Sequence, residues 1–450
     1  MTYRYKLILS LLLLLTAATT SFAQDKTLVE VFVGNEGNFN AGNATVTRYV
    51  VESGTATDGI FSDANGVAIG DVVQSLSWID NKIFAVINNS QKIVVMDPEN
   101  FTQTGIIDLG AGSSPREILQ VSDTKAYVTD LYGSKVYIVD LTDYSVSETT
   151  IPMGTNADYM AAYDGYAYVA NHGYGADSTI FKVDVSSDLV VDTLKVSRGP
   201  SSMVVDADGV LWVVATGYAG DYDASWNIIE GTSEPGGIHG IDLSTGEEVA
   251  FAELASAGSD IGYDSESETV YVYSGGIRAF DVDTKTMATD TLISGYFYGF
   301  AYDDVSNQLF TADAKDYSSA GAVAIYDASG EKSSEFSTGI IPGSFLFVYS
   351  DMITSNEEEL SDVTAFSLSQ NYPNPFNPTT NIEFSLAESG TISLKVFNTR
   401  GQLVATLAEG GYSYGSHSIT FDASALSSGV YFYRLQTETG VQMKKMLLVK

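Results

Sequence analysis

Few side chains in this sequence could carry covalent chemistry. Cysteine is absent from the 450 residues, which excludes thiolate nucleophiles, thiolate metal sites and disulfides alike. The histidines are His172, His239 and His417. His239 falls inside an alternating apolar segment and reads as a strand residue, and His417 lies near the C-terminus, so His172 alone is placed for acid–base or metal work. No nucleophile elbow, His-x-x-x-His pair or Gly-rich phosphate loop accompanies it. Asp221 and Asp223 lack the spacing of an EF-hand and read as turn caps. No catalytic residue, metal or cofactor is therefore assigned.

Binding chemistry is more plentiful. Asn35, Glu36 and Asn38, then Asn89, then Asp130 and Tyr132, then Asn171, His172 and Tyr174 fall between apolar segments. Tyr218, Tyr222 and Trp226, then Asp313 and Tyr317, continue the series. A second set of connections carries Arg116, Tyr159 and Tyr298, with Asp158, Asp260 and Tyr296 beside them. Rings that stack, with amides and carboxylates that orient, suit a small polar organic molecule or a glycan. The plainer alternative is that Asn, Asp, Gly and Tyr simply fill hairpin turns.

The elements that would position these residues repeat. An alternating apolar strand, a short turn and a second strand ending in Asp recur, as in Lys82-Ile83-Phe84-Ala85-Val86 with Ile93-Val94-Val95-Met96-Asp97. The terminal Asp residues are Asp97, Asp140, Asp184, Asp242, Asp281 and Asp327, at spacings of 43, 44, 58, 39 and 46. A period of about 40–45 residues with short strands is that of a β-propeller blade. The spacing of 58 marks an insertion between Val214 and Gly236. A seventh, weaker copy spans Val29 to Val33 and Thr45 to Val50, and the apolar run Ser344 to Tyr349 has no partner of its own. Setting that run inside the first copy closes a seven-bladed ring and removes the open sheet edges. Because strands alternate in direction, the connections from second to third strand and from blade to blade fall on one face, where the candidate residues collect. Turns such as Asp80-Asn81 and Asp208-Gly209 fall on the other.

The fold class expected is therefore all-β: a seven-bladed β-propeller over 24–350, an acidic linker over 351–365 and a small Ig-like β-sandwich over 366–450. Arg4 and Lys6, the apolar run Leu7 to Leu15 and the small-residue end Ser21-Phe22-Ala23 make residues 1–23 a secretory signal peptide. No other segment is long and apolar enough for a transmembrane helix. Net charge is uneven: 24–365 carries 52 acidic and 14 basic residues, or −38, and 366–450 carries 5 and 6, or +1. So acidic a body excludes nucleic acid as a partner.

The ordered motifs Asn371-Tyr372-Pro373-Asn374-Pro375-Phe376-Asn377-Pro378-Thr379-Thr380, Lys395-Val396-Phe397-Asn398 and Gly429-Val430-Tyr431-Phe432-Tyr433-Arg434, with the tail Lys444-Lys445-Met446-Leu447-Leu448-Val449-Lys450, resemble the type A sorting domain of the type IX secretion system of the Bacteroidetes. That resemblance implies the type IX machinery as a partner of residues 366–450, Sec export to the periplasm, passage across the outer membrane, and a secreted or cell-surface protein. The opening Val33-Gly34-Asn35-Glu36-Gly37-Asn38-Phe39 and the link Ser114-Pro115-Arg116-Glu117 resemble the YncE-like, surface-layer seven-bladed family. One branch of that family implies a corrinoid as ligand, beside an outer-membrane transporter; its members are usually lipoproteins, and this chain has no lipobox cysteine.

Three functions are consistent with these residues. The favoured one is a non-enzymatic propeller that binds a small polar molecule, such as a corrinoid, or a glycan on the loop face. A metal-assisted lactonase-like or lyase-like enzyme built on His172 is the second, and a surface-layer or protein-interaction scaffold the third.

Overall fold

The repeating Asp has a local cause. Each ends the third strand of a blade and turns its carboxylate back onto backbone N–H groups of the following hairpin. Asp97 accepts from Glu99 N, Asp140 from Thr142 N, Asp184 from Ser187 N, Asp242 from Ser244 N, Asp281 from Thr284 N and Asp327 from Ser329 N, all at 2.7–2.9 Å. This Asx turn starts the third-to-fourth-strand hairpin in six blades. The opposite requirement, φ > 0 at two successive residues, is met between first and second strands by Asp80 (φ 47°) and Asn81 (φ 54°), a two-residue turn matched to strand twist.

The computed structural model describes residues 26–352, 366–368, 371, 373–386, 389–398, 402–437 and 441–450, so the signal peptide over 1–23 and the linker from 353 onward lie outside the described residues. The chain divides into two compact units, up to Thr354 and from Ser355. The first unit contains seven four-stranded antiparallel sheets, the blades of a propeller. The innermost strands are Pro342–Tyr349 for blade 1, then Val73–Ile79, Pro115–Ser122, Ala157–Tyr163, Pro200–Val205, Ile261–Asp264 and Gly299–Asp303 for blades 2 to 7. Second strands such as Lys82–Ile87 are apolar along their length because neighbouring blades cover both faces. Outer strands such as Leu189–Lys195 are largely exposed. One element has no counterpart in the sequence reading: a six-residue helix, Ile60–Asn65, in the link from blade 1 to blade 2. It buries Ile60 and Phe61 between the blades and is bounded by Gly59 and Gly66, both in the left-handed region.

The ring closes as the unpartnered apolar run predicts. Pro342–Tyr349 pairs antiparallel with Leu28–Asn35, with Val33 opposite Phe345, Val31 opposite Phe347 and Leu28 opposite Tyr349. Ser350 N donates to Thr27 O at 2.9 Å just beyond the ladder. Behind it, Val31 and Val33 pack with Phe310, Val323 and Phe336 of blade 7, and the Phe310 ring lies 5.0 Å from that of Phe347.

The second unit is a sandwich. One sheet joins Phe366–Leu368, Thr379–Leu386 and Gly415–Asp422; the other joins Leu403–Tyr412, Gly390–Asn398, Gly429–Gln436 and Val441–Leu448. Its sequence motifs are structural fasteners. Asn371 is buried and its N–H donates to the Tyr433 hydroxyl at 2.8 Å, and its side chain reaches Thr380 Oγ1 at 3.0 Å. Phe376 is buried and exchanges backbone hydrogen bonds with Leu447 and Val449, which pins the last strand.

Because Phe310 is fully buried at the closing seam, Phe310→Ala is expected to cost about 3–5 kcal/mol of stability. Leu189→Ala, on an exposed outer strand, should change stability by less than about 0.5 kcal/mol. Denaturant unfolding of the two variants checks both values.

Candidate functional site

The inner strands begin on the loop face, and in five blades they begin with an irregularity. Between Pro115 and Ile118 the inner strand of blade 3 advances three residues while its partner advances two, from Asp130 to Val128. The same extra residue occurs between Ala157 and Met160, Val73 and Ser75, Pro200 and Ser202, and Pro342 and Ser344. A β-bulge defeats alternation locally, so adjacent side chains can reach the same space. Here both Arg116 and Glu117, and both Asp158 and Tyr159, line one axial cavity of about 220 Å³. Gln74, Ser202, Asp260, Phe300 and Ser344 complete its wall.

The cavity is polar and its charges are unbalanced. Arg116 donates through Nε to Asp158 Oδ1 at 2.9 Å and through Nη2 to Oδ2 at 3.3 Å, and its Nη1 bonds Gln74 Oε1. Burial works against the guanidinium charge, but Asp158 outweighs it and holds the group firmly protonated. Glu117 accepts from Met160 N at 2.8 Å; burial first, and the Asp158 charge second, push its carboxyl up to about 8. Burial also pushes Asp260 up to about 6 and raises Glu36, against the hydrogen bond Glu36 accepts from the Tyr298 hydroxyl at 2.8 Å. Tyr159 is raised well above its ordinary value, by burial and then by the carboxylates around it. At neutral pH Glu117 therefore keeps its proton and is a donor as well as an acceptor.

Above the cavity the loop face carries aromatic rings. Tyr317 lies edge-on to Tyr298 at 5.8 Å between ring centres, and its hydroxyl meets that of Tyr296 at 3.2 Å. Asn38 is held at this edge by its bond to Tyr317 O at 2.6 Å. The hydroxyls of Tyr132 and Tyr174 meet at 3.1 Å. Nine aromatic side chains of the propeller are largely exposed among the described residues, and seven of them, Phe39, Tyr132, Tyr174, Tyr222, Trp226, Tyr296 and Tyr317, stand on the loop face.

The structure divides the predicted set. Glu36, Arg116, Tyr159, Tyr298 and Tyr317 converge on the cavity and its mouth. Tyr132, His172 and Tyr174 stand together at blades 3 and 4, and Tyr218, Tyr222 and Trp226 on the blade 5 insertion. Asn35, Asp130 and Asn171 are turned inward instead. Each ends the second strand of its blade, fully buried, and bonds within the blade: Asn35 to Thr47 Oγ1 (2.9 Å), Asp130 to the Tyr137 hydroxyl (3.1 Å), Asn171 to Thr179 Oγ1 (3.0 Å). Asn89 is tied to Asp71 Oδ2 at 2.6 Å and Asp313 to Lys315 Nζ at 2.7 Å. His172 accepts from Tyr174 N through Nδ1 at 3.2 Å, and burial holds its pKa below the usual value. Asp223 caps its own turn, accepting from Ser225 N and Asn227 N. Among the described residues no group of three His, Asp or Glu side chains is arranged to hold a metal. Glu117, Gln74 and Ser202 were absent from the predicted set; the one sequence signal for Glu117 is its place after Pro115-Arg116, at the start of an inner strand.

Residues 30–347 match the family described as a domain of unknown function, DUF5074, and residues 370–450 match the secretion system C-terminal sorting domain. No curated protein matches this chain. Among solved structures it is similar to hydrazine synthase of Kuenenia stuttgartiensis at 16% identity and a TM-score of 0.46, over 56% of this chain and 75% of that one. It is also similar to apo AztD of Citrobacter koseri at 13% identity and 0.47, over 71% and 98%. A computationally designed protein, Ika8, is similar at 10% identity and 0.47, over 70% and 91%.

The raised carboxyl of Glu117 has a consequence for stability. Between its ordinary value of 4.5 and about 8 the unfolded chain releases a proton that the folded chain keeps, so folding becomes less favourable as pH rises through that window. Glu117→Gln can still accept from Met160 N and has no proton to lose. The stability of the variant relative to the native protein should be flat below pH 4.5, climb between 4.5 and about 8, and level off above. Thermal unfolding of both proteins across pH measures this directly.

Proposed function

The chain belongs to the DUF5074 family and ends in a secretion system C-terminal sorting domain, and from that premise we propose that the propeller is a non-enzymatic binding protein whose loop face takes a small polar, sugar-like ligand over the axial cavity. Export through the type IX system delivers it to the cell surface or the medium, and a signal peptide at 1–23 would supply the first step into the periplasm.

The observation that carries the binding reading is the coincidence of two features on one face. A polar cavity opens on the axis, and seven of the nine exposed aromatic rings of the propeller stand on the same face of the ring. Exposed rings cost solubility, and their concentration beside buried donors and acceptors fits a surface that stacks on a ligand and orients it. A cavity of about 220 Å³ accepts a sugar ring or a similar small group. A corrinoid, the ligand suggested by the YncE-like resemblance, is larger than the cavity and could only lie across the mouth. The charge of −38 over residues 24–365, most of it on the propeller, favours a neutral or cationic ligand over an acidic one. The hydrolytic alternative has less support, because Nδ1 of His172 is engaged by a backbone N–H.

A thermal-shift screen of the purified protein against sugars, corrinoids and siderophores tests the reading. At least one neutral or cationic polar compound should raise the melting temperature. Tyr317→Ala should then weaken its binding by roughly 2- to 13-fold, the value of one stacked ring, and Phe251→Ala, on an exposed outer strand, should not. A screen that moves nothing, with partners found only by cross-linking on cells, would favour the scaffold alternative. Export has a separate check: removing 366–450 should leave the propeller in the periplasm, seen by fractionation.

A further inference from the structure

A second cavity lies on the loop face, away from the axis. It is a groove of about 530 Å³ between blades 4 and 5 and the link to blade 6, lined by His172, Tyr174, Tyr218, Glu234, Glu253 and the run Leu254–Ala257. Its size falls within the roughly 300–1,000 Å³ usual for ligand sites, which the axial cavity does not reach.

The rings of this groove are held in place, Tyr174 exposed and Tyr218 half-buried. Arg198 covers the Tyr218 ring at 3.8 Å and reaches Glu234 at 3.2 Å, and the Tyr218 hydroxyl donates to Asp221 at 2.6 Å. Tyr174, also in the lining, sits in the left-handed region (φ 49°), bonded to Tyr132 through its hydroxyl and to His172 through its N–H. Rings fixed before binding lose little entropy when a ligand stacks on them. Among the described residues, Arg198 beside the groove is engaged by Glu234 and Glu253 has no ion-pair partner, so the lining offers carboxylate acceptors and no free cation.

The groove lies close to the axial site. Ala257 lines the groove and Asp260 lines the cavity, three residues apart, so their backbones lie within about 11 Å of each other. His172 and Tyr174 feel the charges of Asp158 and Arg116 across the same gap. Resting on the reading that the axial mouth binds a sugar-like ligand, we propose that the groove is a second subsite and that the ligand is a linear oligosaccharide without acidic groups, one end at the axis and its body lying between Tyr174 and Tyr218.

Isothermal titration of the full chain with oligomers of glucose, mannose, N-acetylglucosamine and glucosamine, one to six units long, tests this, with oligogalacturonate as the acidic control. For at least one series affinity should rise at least about tenfold from dimer to hexamer, and the acidic series should bind at least about tenfold more weakly. Tyr218→Ala should bring the hexamer down to the affinity of the dimer, and Tyr218→Phe, which keeps the ring, should restore the gain. Affinity that stops rising at the dimer, or an acidic series that binds as well, overturns the groove while leaving the axial reading intact. Hexamer binding that ignores Glu117→Gln and Tyr317→Ala but falls with Tyr218→Ala removes the axial reading and, with it, the spanning ligand. No binding at any length overturns both.

Discussion

One seam makes the rest of the propeller possible. The pairing of Pro342–Tyr349 with Leu28–Asn35 joins residues more than 300 positions apart in sequence. Without it blade 1 has no inner strand, blade 7 exposes Phe310 and Phe336, and there is no axis around which bulged inner strands can converge. Closing so long a loop costs entropy, though only logarithmically in length. The cost is offset by a full ladder and by apolar packing from both end blades. With no cysteine in the chain, no covalent staple can share that work. The axial site is thus a product of global closure and not of any local motif.

The polarity of the axis follows from the same geometry. Inner strands of a propeller face one another across a narrow space, too wide to fill with backbone and too tight for large apolar side chains all round. Here the space holds a guanidinium, carboxyls, an amide and hydroxyls. Buried charges are costly unless paired, and only Asp158 is paired with the one cation. Burial raises both Glu117 and Asp260, Glu117 to about 8 and Asp260 to about 6, so at neutral pH Glu117 keeps its proton while Asp260 is largely ionised. The site is therefore poised: its net charge depends on pH and on anything bound within it. A neutral carboxyl that both donates and accepts is well suited to a hydroxyl-bearing ligand, which needs both roles from its surroundings.

Much of the architecture was legible because it is periodic. The Asp residues that set the repeat are Asx turns, a local device whose sequence signature survives in each blade. The closing strand was legible because an apolar run without a neighbour has to find one. Side-chain direction was legible only where alternation holds. Arg116 was placed in the site as a link residue and Glu117 was not; it is the bulge between Pro115 and Ile118 that brings both to the axis, and a bulge cannot be read from composition. The opposite error came from Asn35, Asp130 and Asn171. They have the composition of loop residues but sit at strand ends, where an amide or carboxylate satisfies buried groups of its own blade. The helix at Ile60–Asn65 is too short to show a helical period.

What breaks the period carries more information about function than what keeps it. Six blades join their second and third strands within at most about a dozen residues, while blade 5 spends the span from Tyr218 to Glu234 on an excursion bearing Tyr222, Trp226, Ile228 and Ile229 on its surface. An insertion with no structural task would be expected to be polar, because exposed apolar side chains invite association. This one is aromatic, is braced by Asp223, which caps the turn under Trp226, and adjoins a groove of ligand size on the loop face. Scaffold and specificity are thus separated in the chain. The repeated Asp turns and the seam fix a rigid ring, and the departures from repetition, the bulges at the axis and the excursion at blade 5, decide what that ring can hold.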